Sequence, residues 1–178
     1  MIKKFSELFG ELWPYLALAL LFGAVLALGM LGGPRSDAKR AATPGLSASA
    51  LSAEETLFDF GTIAMGNGKV EHEFILKNDG KEALTVTSVL TSCMCTNAFL
   101  TDDRGKSYGP FGMSGHGGAT GEANINVAPG ASVKLRAVFD PAAHGPAGVG
   151  VIQRSIYLET SSAKSPRMEL KFHAVVTN

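Results

Sequence analysis

Apolar and polar residues alternate along most of this chain, and the alternation predicts a protein built from short β-strands. In residues 70–77, Val70, Phe74 and Leu76 share one side of a strand, and the other side carries three charged side chains together with Ile75. Period-two alternation bounded by turn residues is typical of a strand with one buried face. The same pattern begins near residue 56 and recurs to the C-terminus.

Turn signals divide this pattern into about seven short strands, the number expected for an immunoglobulin-like sandwich. Gly66-Asn67-Gly68, Asn78-Asp79-Gly80 and Pro129-Gly130 supply residues that accept turn conformations. A long piece, residues 96–121, has no regular pattern and is expected to be a loop, of the kind that is usually functional or disordered. We therefore predict an all-β fold, an immunoglobulin-like antiparallel β-sandwich, over residues 55–178.

The N-terminal segment has a different pattern, since residues 12–31 run without a charged side chain. Such a run spans the ~30 Å hydrocarbon core as a helix, so we expect one transmembrane signal anchor. Residues 1–11 are expected to be a short cytoplasmic N-terminus, and the Gly-, Pro-, Ser- and Ala-rich residues 32–54 a flexible linker. Cleavage after the small residues at 48–50 is the alternative to a retained anchor.

This organisation implies a location at the cytoplasmic (inner) membrane. The chain would pass once through the lipid bilayer and carry the C-terminal domain on the extracytoplasmic side. The bilayer is therefore an expected partner of the N-terminal helix. The tail before the helix is too short to hold a domain, and this favours that orientation over the reverse.

Charge and composition narrow the function classes. The 16 basic and 16 acidic residues cancel, so the chain lacks the basic surface that nucleic-acid binding needs. No Ser/His/Asp order, nucleotide loop or pair of catalytic carboxylates stands out. We therefore expect a non-enzymatic binding or scaffolding module with a protein partner, because end loops and edge strands of sandwiches are common contact surfaces.

The candidate chemistry is concentrated in Ser92-Cys93-Met94-Cys95-Thr96, which contains both cysteines of the chain. Thiolate, thioether and imidazole suit Cu(I), and thiolate with imidazole also suits Zn(II). Cys93 and Cys95, with Met113 and His116 from the Gly-rich stretch downstream, therefore form a candidate copper or zinc site. Residues i and i+2 of a strand point to opposite faces, so this site requires the strand to break at Met94.

Two other states of the cysteines stay open. A Cys93–Cys95 disulfide suits an oxidising compartment and, in so short a ring, would be easily reduced and thus redox-active. Free buried thiols acting as small apolar groups are the third possibility. Of the other histidines, His72 and His173 are interpreted as strand residues, and His144 as a loop residue that could approach the same end of the sandwich.

Several motifs together resemble one bacterial family, the domain of unknown function 1573. They are Phe58-Asp59-Phe60-Gly61-Thr62-Ile63, Gly66, Phe74-Ile75-Leu76-Lys77-Asn78-Asp79-Gly80, Leu84, Ser92-Cys93-Met94-Cys95-Thr96, Pro129-Gly130 and Val138-Phe139-Asp140. The resemblance implies an extracytoplasmic immunoglobulin-like module akin to Hydin-type domains over residues 55–177. The chain departs from the family pattern in the long stretch that holds Met113 and His116.

Overall fold

The structure is a computed structural model, and it describes residues 46–115 and 121–178. Within these ranges no helix is long and apolar enough to cross a bilayer. The predicted short N-terminus over 1–11, the predicted membrane helix over 12–31 and most of the predicted linker lie outside the described residues, as does His116.

The described residues form two five-stranded β-sheets, as the alternation predicts for an all-β fold. One sheet has the strand order β1-β3-β8-β5-β6, and the other has the order β2-β10-β9-β4-β7. Every pairing is antiparallel except that of the edge strand β2, which runs parallel to β10. The strands are β1 (Leu51–Ala53), β2 (Leu57–Ala64), β3 (Val70–Asn78), β4 (Leu84–Thr91), β5 (Thr96–Thr101), β6 (Ser107–Phe111), β7 (Glu122–Val127), β8 (Ser132–Phe139), β9 (Gly150–Thr160) and β10 (Arg167–Thr177).

The core is built by the faces that the alternation assigns to the interior. Phe74 and Leu76 of β3 and Leu170 and Phe172 of β10 are fully buried. The Phe172 ring lies 5.5 Å from the ring of Phe139 on β8, which belongs to the opposite sheet. Each buried side chain of this size stabilises the fold by about 1.5–3 kcal/mol, so these contacts hold the two sheets together.

The structure corrects the prediction of one long loop over residues 96–121, because this stretch contains β5 and β6. Ala98 and Leu100 of β5 are buried, but interspersed polar residues and Pro110 obscure the period in the sequence. Asp102 closes the hairpin, since its Oδ1 accepts hydrogen bonds from the backbone N–H groups of Arg104 and Lys106 at 3.0 and 2.9 Å. The bond from Lys106 is the main reason that the pKa of Asp102 lies below its usual value.

The ordered domain also begins earlier than the composition predicts. β1 lies inside the segment 32–54 that was expected to be linker, and it pairs with the end of β3, where Leu51 faces Asn78. Leu51 is buried. A strand of three residues is too short to show a period, so only its pairing with β3 reveals it. The residues that the structure describes therefore contain ten strands rather than about seven.

Asn78 ties the turn after β3 to the opposite sheet. This buried side chain donates hydrogen bonds from Nδ2 to the carbonyl oxygens of Glu82 and Val127, at 2.8 and 3.0 Å. Its Oδ1 accepts a bond from the N–H of Gly80 at 3.0 Å. Val127 ends β7, so one amide group fixes the β3–β4 turn against the neighbouring sheet.

We expect Asn78→Ala to lower the free energy of unfolding by about 2–3 kcal/mol, because it leaves buried backbone groups without partners. Urea denaturation followed by circular dichroism measures this loss. Asn126→Ala is the matched control, since Asn126 is exposed on β7, and it should change stability by less than about 0.5 kcal/mol. Equal effects of the two substitutions would contradict the role given to the buried amide.

Candidate functional site

The two cysteines lie in a tight turn where the chain leaves one sheet and enters the other. Residues 92–95 connect β4 to β5, and the N–H of Thr96 donates to the carbonyl of Cys93 at 3.1 Å. The Thr91 hydroxyl donates to the same carbonyl at 3.0 Å. The strand has thus ended before Met94, so the side chains of Cys93 and Cys95 meet instead of pointing to opposite faces. We call residues 92–95 the cysteine turn.

The Sγ atoms of Cys93 and Cys95 are joined in a disulfide, with their Cα atoms 5.2 Å apart. The two sulfurs have different surroundings, because Cys95 is only 2% exposed whereas Cys93 is half-buried. Met94, between them, is 52% exposed. A reagent can therefore reach the disulfide from the Cys93 side.

His144 approaches the exposed sulfur from the loop that joins β8 to β9. This loop starts beside the cysteine turn, because the N–H of Asp140 donates to the carbonyl of Cys95 at 2.9 Å. Asp140 then shapes the loop through its Oδ1, which accepts a bond from the N–H of Ala142 at 2.9 Å. As a result the Nε2 atom of His144 lies 3.1 Å from the Sγ atom of Cys93.

Arg154 approaches the buried sulfur from β9. Strand β4 pairs with β9 only as far as the Thr91–Ile156 pair, and Ser92 continues the contact with two bonds of 2.9 Å to Ser155. The part of β9 before Ser155 has therefore lost β4 as a neighbour. There the Nε–H of Arg154 donates to the Sγ atom of Cys95 at 3.2 Å.

Partial burial lowers the pKa of Arg154 from its ordinary value, but a guanidinium group keeps its proton in proteins. Arg154 thus places a fixed positive charge beside the buried sulfur. A cation at this position can stabilise the negative charge that a sulfur gains when a disulfide is broken.

Cys93, Cys95 and His144 also lie close together, and each carries an atom of a kind that can bind a metal ion. One potential ligand atom from each residue lies within 4.8 Å of the other two. The third member of this cluster among the described residues is His144 of the β8–β9 loop. The sequence had instead suggested residues of the segment between β6 and β7. Met113 leaves β6 near the end of β4, where the carbonyl of Gly112 accepts a bond from Thr91 at 3.2 Å. The predicted ligand roles of Met113 and His116 stay predictions.

The other described histidines have structural contacts. His72 stacks on Phe58 with ring centroids 3.6 Å apart and an angle of 7° between the rings, and its Nε2 contacts Glu55. His173 pairs with Asp59 on the neighbouring strand at 3.1 Å. Both therefore belong to strands, as the sequence pattern predicts.

Sequence reasoning did not find Arg154 and left His144 outside the candidate site. His144 lies 51 residues from Cys93 along the chain, and Arg154 lies 59 residues from Cys95. No short motif joins positions so far apart. The only available signal was topological, because loops that cross between the sheets at one end of a sandwich come together.

Comparison with known proteins confirms the family resemblance over part of the chain. Residues 51–106 match the model of a family described as protein of unknown function (DUF1573). This segment contains β1 to β5 and the cysteine turn, but neither His144 nor Arg154. Among curated proteins, none has a sequence that matches this chain significantly.

A solved structure shows the same kind of fold. A crystal structure of a protein of unknown function from Porphyromonas gingivalis W83 is 20% identical, with a TM-score of 0.54, over 75% of this chain and 51% of that one. This chain therefore spans about half of that protein, and an identity this low is evidence of fold alone. A PapD-like domain of human CEP192 was also found, at 14% identity and a TM-score of 0.44, over 76% of this chain and 88% of the domain.

We expect the disulfide to contribute little to the stability of the fold. Closing a loop of about three residues stabilises a protein by about 1.6 kcal/mol in the chain-entropy model, against about 3 kcal/mol for a loop of about 15 residues. Reduction with dithiothreitol should therefore lower the melting temperature by no more than about 5 °C, measured by circular dichroism. Unfolding on reduction at 25 °C would instead identify the bond as a structural staple.

Proposed function

We propose that this chain is a membrane-anchored, extracytoplasmic β-sandwich that exchanges its Cys93–Cys95 disulfide with thiols of a partner protein. One observation carries the proposal: the two sulfurs have separate polar partners. His144 contacts the accessible sulfur of Cys93 at 3.1 Å, and Arg154 donates to the buried sulfur of Cys95 at 3.2 Å. A disulfide that serves only as a covalent link needs neither contact.

The arrangement supports a defined order of bond changes. A thiolate of the partner attacks the Sγ of Cys93, which forms a mixed disulfide and releases Cys95 as a thiolate beside Arg154. A second thiolate of the partner then attacks its own sulfur in the mixed disulfide and releases Cys93, and His144 is placed to donate a proton to it. Two electrons pass from the partner's dithiol to Cys93 and Cys95, and the partner gains a disulfide. The better the leaving thiolate is stabilised, the faster the first step.

The exposed side chain of Met94 supports a protein partner rather than a small thiol alone. Met94 separates the two cysteines, and it is 52% exposed. Such a residue favours contact with an apolar surface of another protein. The binding role expected from the sequence and the redox chemistry would thus share one surface.

We expect Arg154→Gln to slow the reduction of Cys93–Cys95 by glutathione about tenfold, because a charge-assisted hydrogen bond to the leaving thiolate is lost. The rate is measured on the full chain by quenching samples with iodoacetamide and determining the mass of the alkylated product by mass spectrometry. Arg136→Gln is the matched control, since Arg136 pairs with Glu71 on the surface of the other sheet at 2.8 Å. Equal rates in wild type and Arg154→Gln would refute the role of Arg154.

The location rests on residues 12–31, whose uncharged apolar run is long enough to span a bilayer. An extracytoplasmic position suits the proposed chemistry, because disulfides persist in oxidising compartments and are rare in the cytosol. The charges on the two sides of this run do not decide orientation, whereas the proposed disulfide chemistry favours a β-sandwich on the extracytoplasmic side.

We expect the full chain to remain with the membrane after carbonate extraction, and the β-sandwich to be digested by protease added to spheroplasts. A chain that lacks residues 1–45 and therefore has no anchor should stay in the cytoplasm, where protease does not reach it. Immunoblotting of the fractions measures both outcomes. Recovery of a soluble full-length product, or of one shortened by about fifty residues through cleavage, would refute the anchor.

A further inference from the structure

We infer that the reduced site, composed of the two thiolates of Cys93 and Cys95 and the imidazole of His144, binds one Cu(I) ion. The inference requires only that the disulfide can be reduced, which the proposed function also assumes. It differs from the ligand set expected from the sequence, because the imidazole comes from the β8–β9 loop and not from His116.

The positions of the three side chains favour a shared metal. They approach from two separate loops, and their ligand atoms lie within 4.8 Å of one another. The Cys93 sulfur and the His144 nitrogen are 3.1 Å apart, and a small outward movement to about 3.5 Å would let both bind one metal at ordinary bond lengths. Once the S–S bond is broken the two sulfurs move apart, and this opens a space for a metal between three converging ligands.

The net charge of the reduced site favours a monovalent metal ion. Two thiolates carry a charge of −2, and Arg154 adds +1 beside Cys95, where its Nε lies 3.2 Å from the sulfur. A monovalent cation makes the sum zero, whereas Zn(II) leaves +1 in a site with one buried sulfur. Zn(II) also prefers four ligands, and no further Cys, His, Asp or Glu among residues 46–115 and 121–178 belongs to this cluster. Soft ligands in a low-coordinate site therefore favour Cu(I).

The Cys93–Cys95 bond decides whether the site can bind a metal ion. Thiolates are the form of cysteine that binds metals, and the Cys93–Cys95 disulfide removes both of them. Metal binding and disulfide are thus mutually exclusive states of the same two residues. Reduction by the partner's thiols would create the metal site, and oxidation would abolish it.

The test is an anaerobic titration of the full chain in mild detergent. The chain is reduced with dithiothreitol, desalted, and titrated with Cu(I) held by bicinchoninate, whose colour reports the copper that remains unbound. We expect the reduced chain to take about one equivalent of Cu(I) from the bicinchoninate complex and the oxidised chain to take none. Withdrawal that persists in the Cys93→Ala plus Cys95→Ala double variant would overturn the inference.

Two single variants test the ligand set and the charge argument. His144→Gln should weaken Cu(I) binding by at least about tenfold, while the matched control His173→Gln should leave it unchanged. Arg154→Gln should shift the Cu(I)-to-Zn(II) affinity ratio about tenfold towards Zn(II), because the lost positive charge repels a divalent ion more than a monovalent one. Tighter binding of Zn(II) than of Cu(I) by wild type would overturn the assignment of the metal.

Loss of copper binding in His116→Gln but not in His144→Gln would also overturn the ligand set, in favour of the set predicted from sequence.

Failure of copper binding can be distinguished from failure of the proposed exchange function. Normal reduction by glutathione without copper binding would refute this inference alone. A disulfide that resists glutathione, in a chain that binds Cu(I) after reduction by dithiothreitol, would refute the exchange function and leave the copper site standing.

Discussion

The site depends on one backbone hydrogen bond, from the N–H of Asp140 to the carbonyl of Cys95 at 2.9 Å. It joins two of the places at which the chain crosses between the sheets, the cysteine turn and the β8–β9 loop. The bond extends the pairing of β5 with β8 by one step beyond the Thr96–Phe139 pair. Without it, the loop that holds His144 would have no fixed position beside the sulfurs.

The asymmetry of the disulfide follows from the same crossing. Cys95 lies where the chain enters the core to begin β5, and it is therefore buried, whereas Cys93 is only half-buried. Because β4 departs at Thr91, Arg154 keeps β10 as its neighbour, where it pairs with Phe172, but it has no strand on the β4 side, and there its Nε–H donates to Cys95. The difference in burial and polar contacts between the two sulfurs is thus a consequence of sheet topology.

The family match covers the cysteine turn but ends at residue 106, before the two residues that contact the sulfurs. The chemistry of the turn in this chain therefore depends on a part of the domain outside the matched segment. A turn of this kind on a sandwich that lacks His144 and Arg154 would keep its fold and lose the polar contacts on which both proposals rest.

Much of the fold was predictable because alternation reports directly which face of a strand is buried. Phe74, Leu76, Leu170 and Phe172 are core residues for that reason alone. The prediction was wrong where the pattern is short or interrupted, at β1 and over β5 and β6, since three residues show no period and the polar residues of β5 and Pro110 disguise one.

The sequence by itself determined the inner faces of the longer strands, because these depend on local periodicity. Only the tertiary structure decided which groups face the sulfurs. His144 and Arg154 reach them through strand order and a shared crossing point, and neither is encoded in any short stretch of the chain.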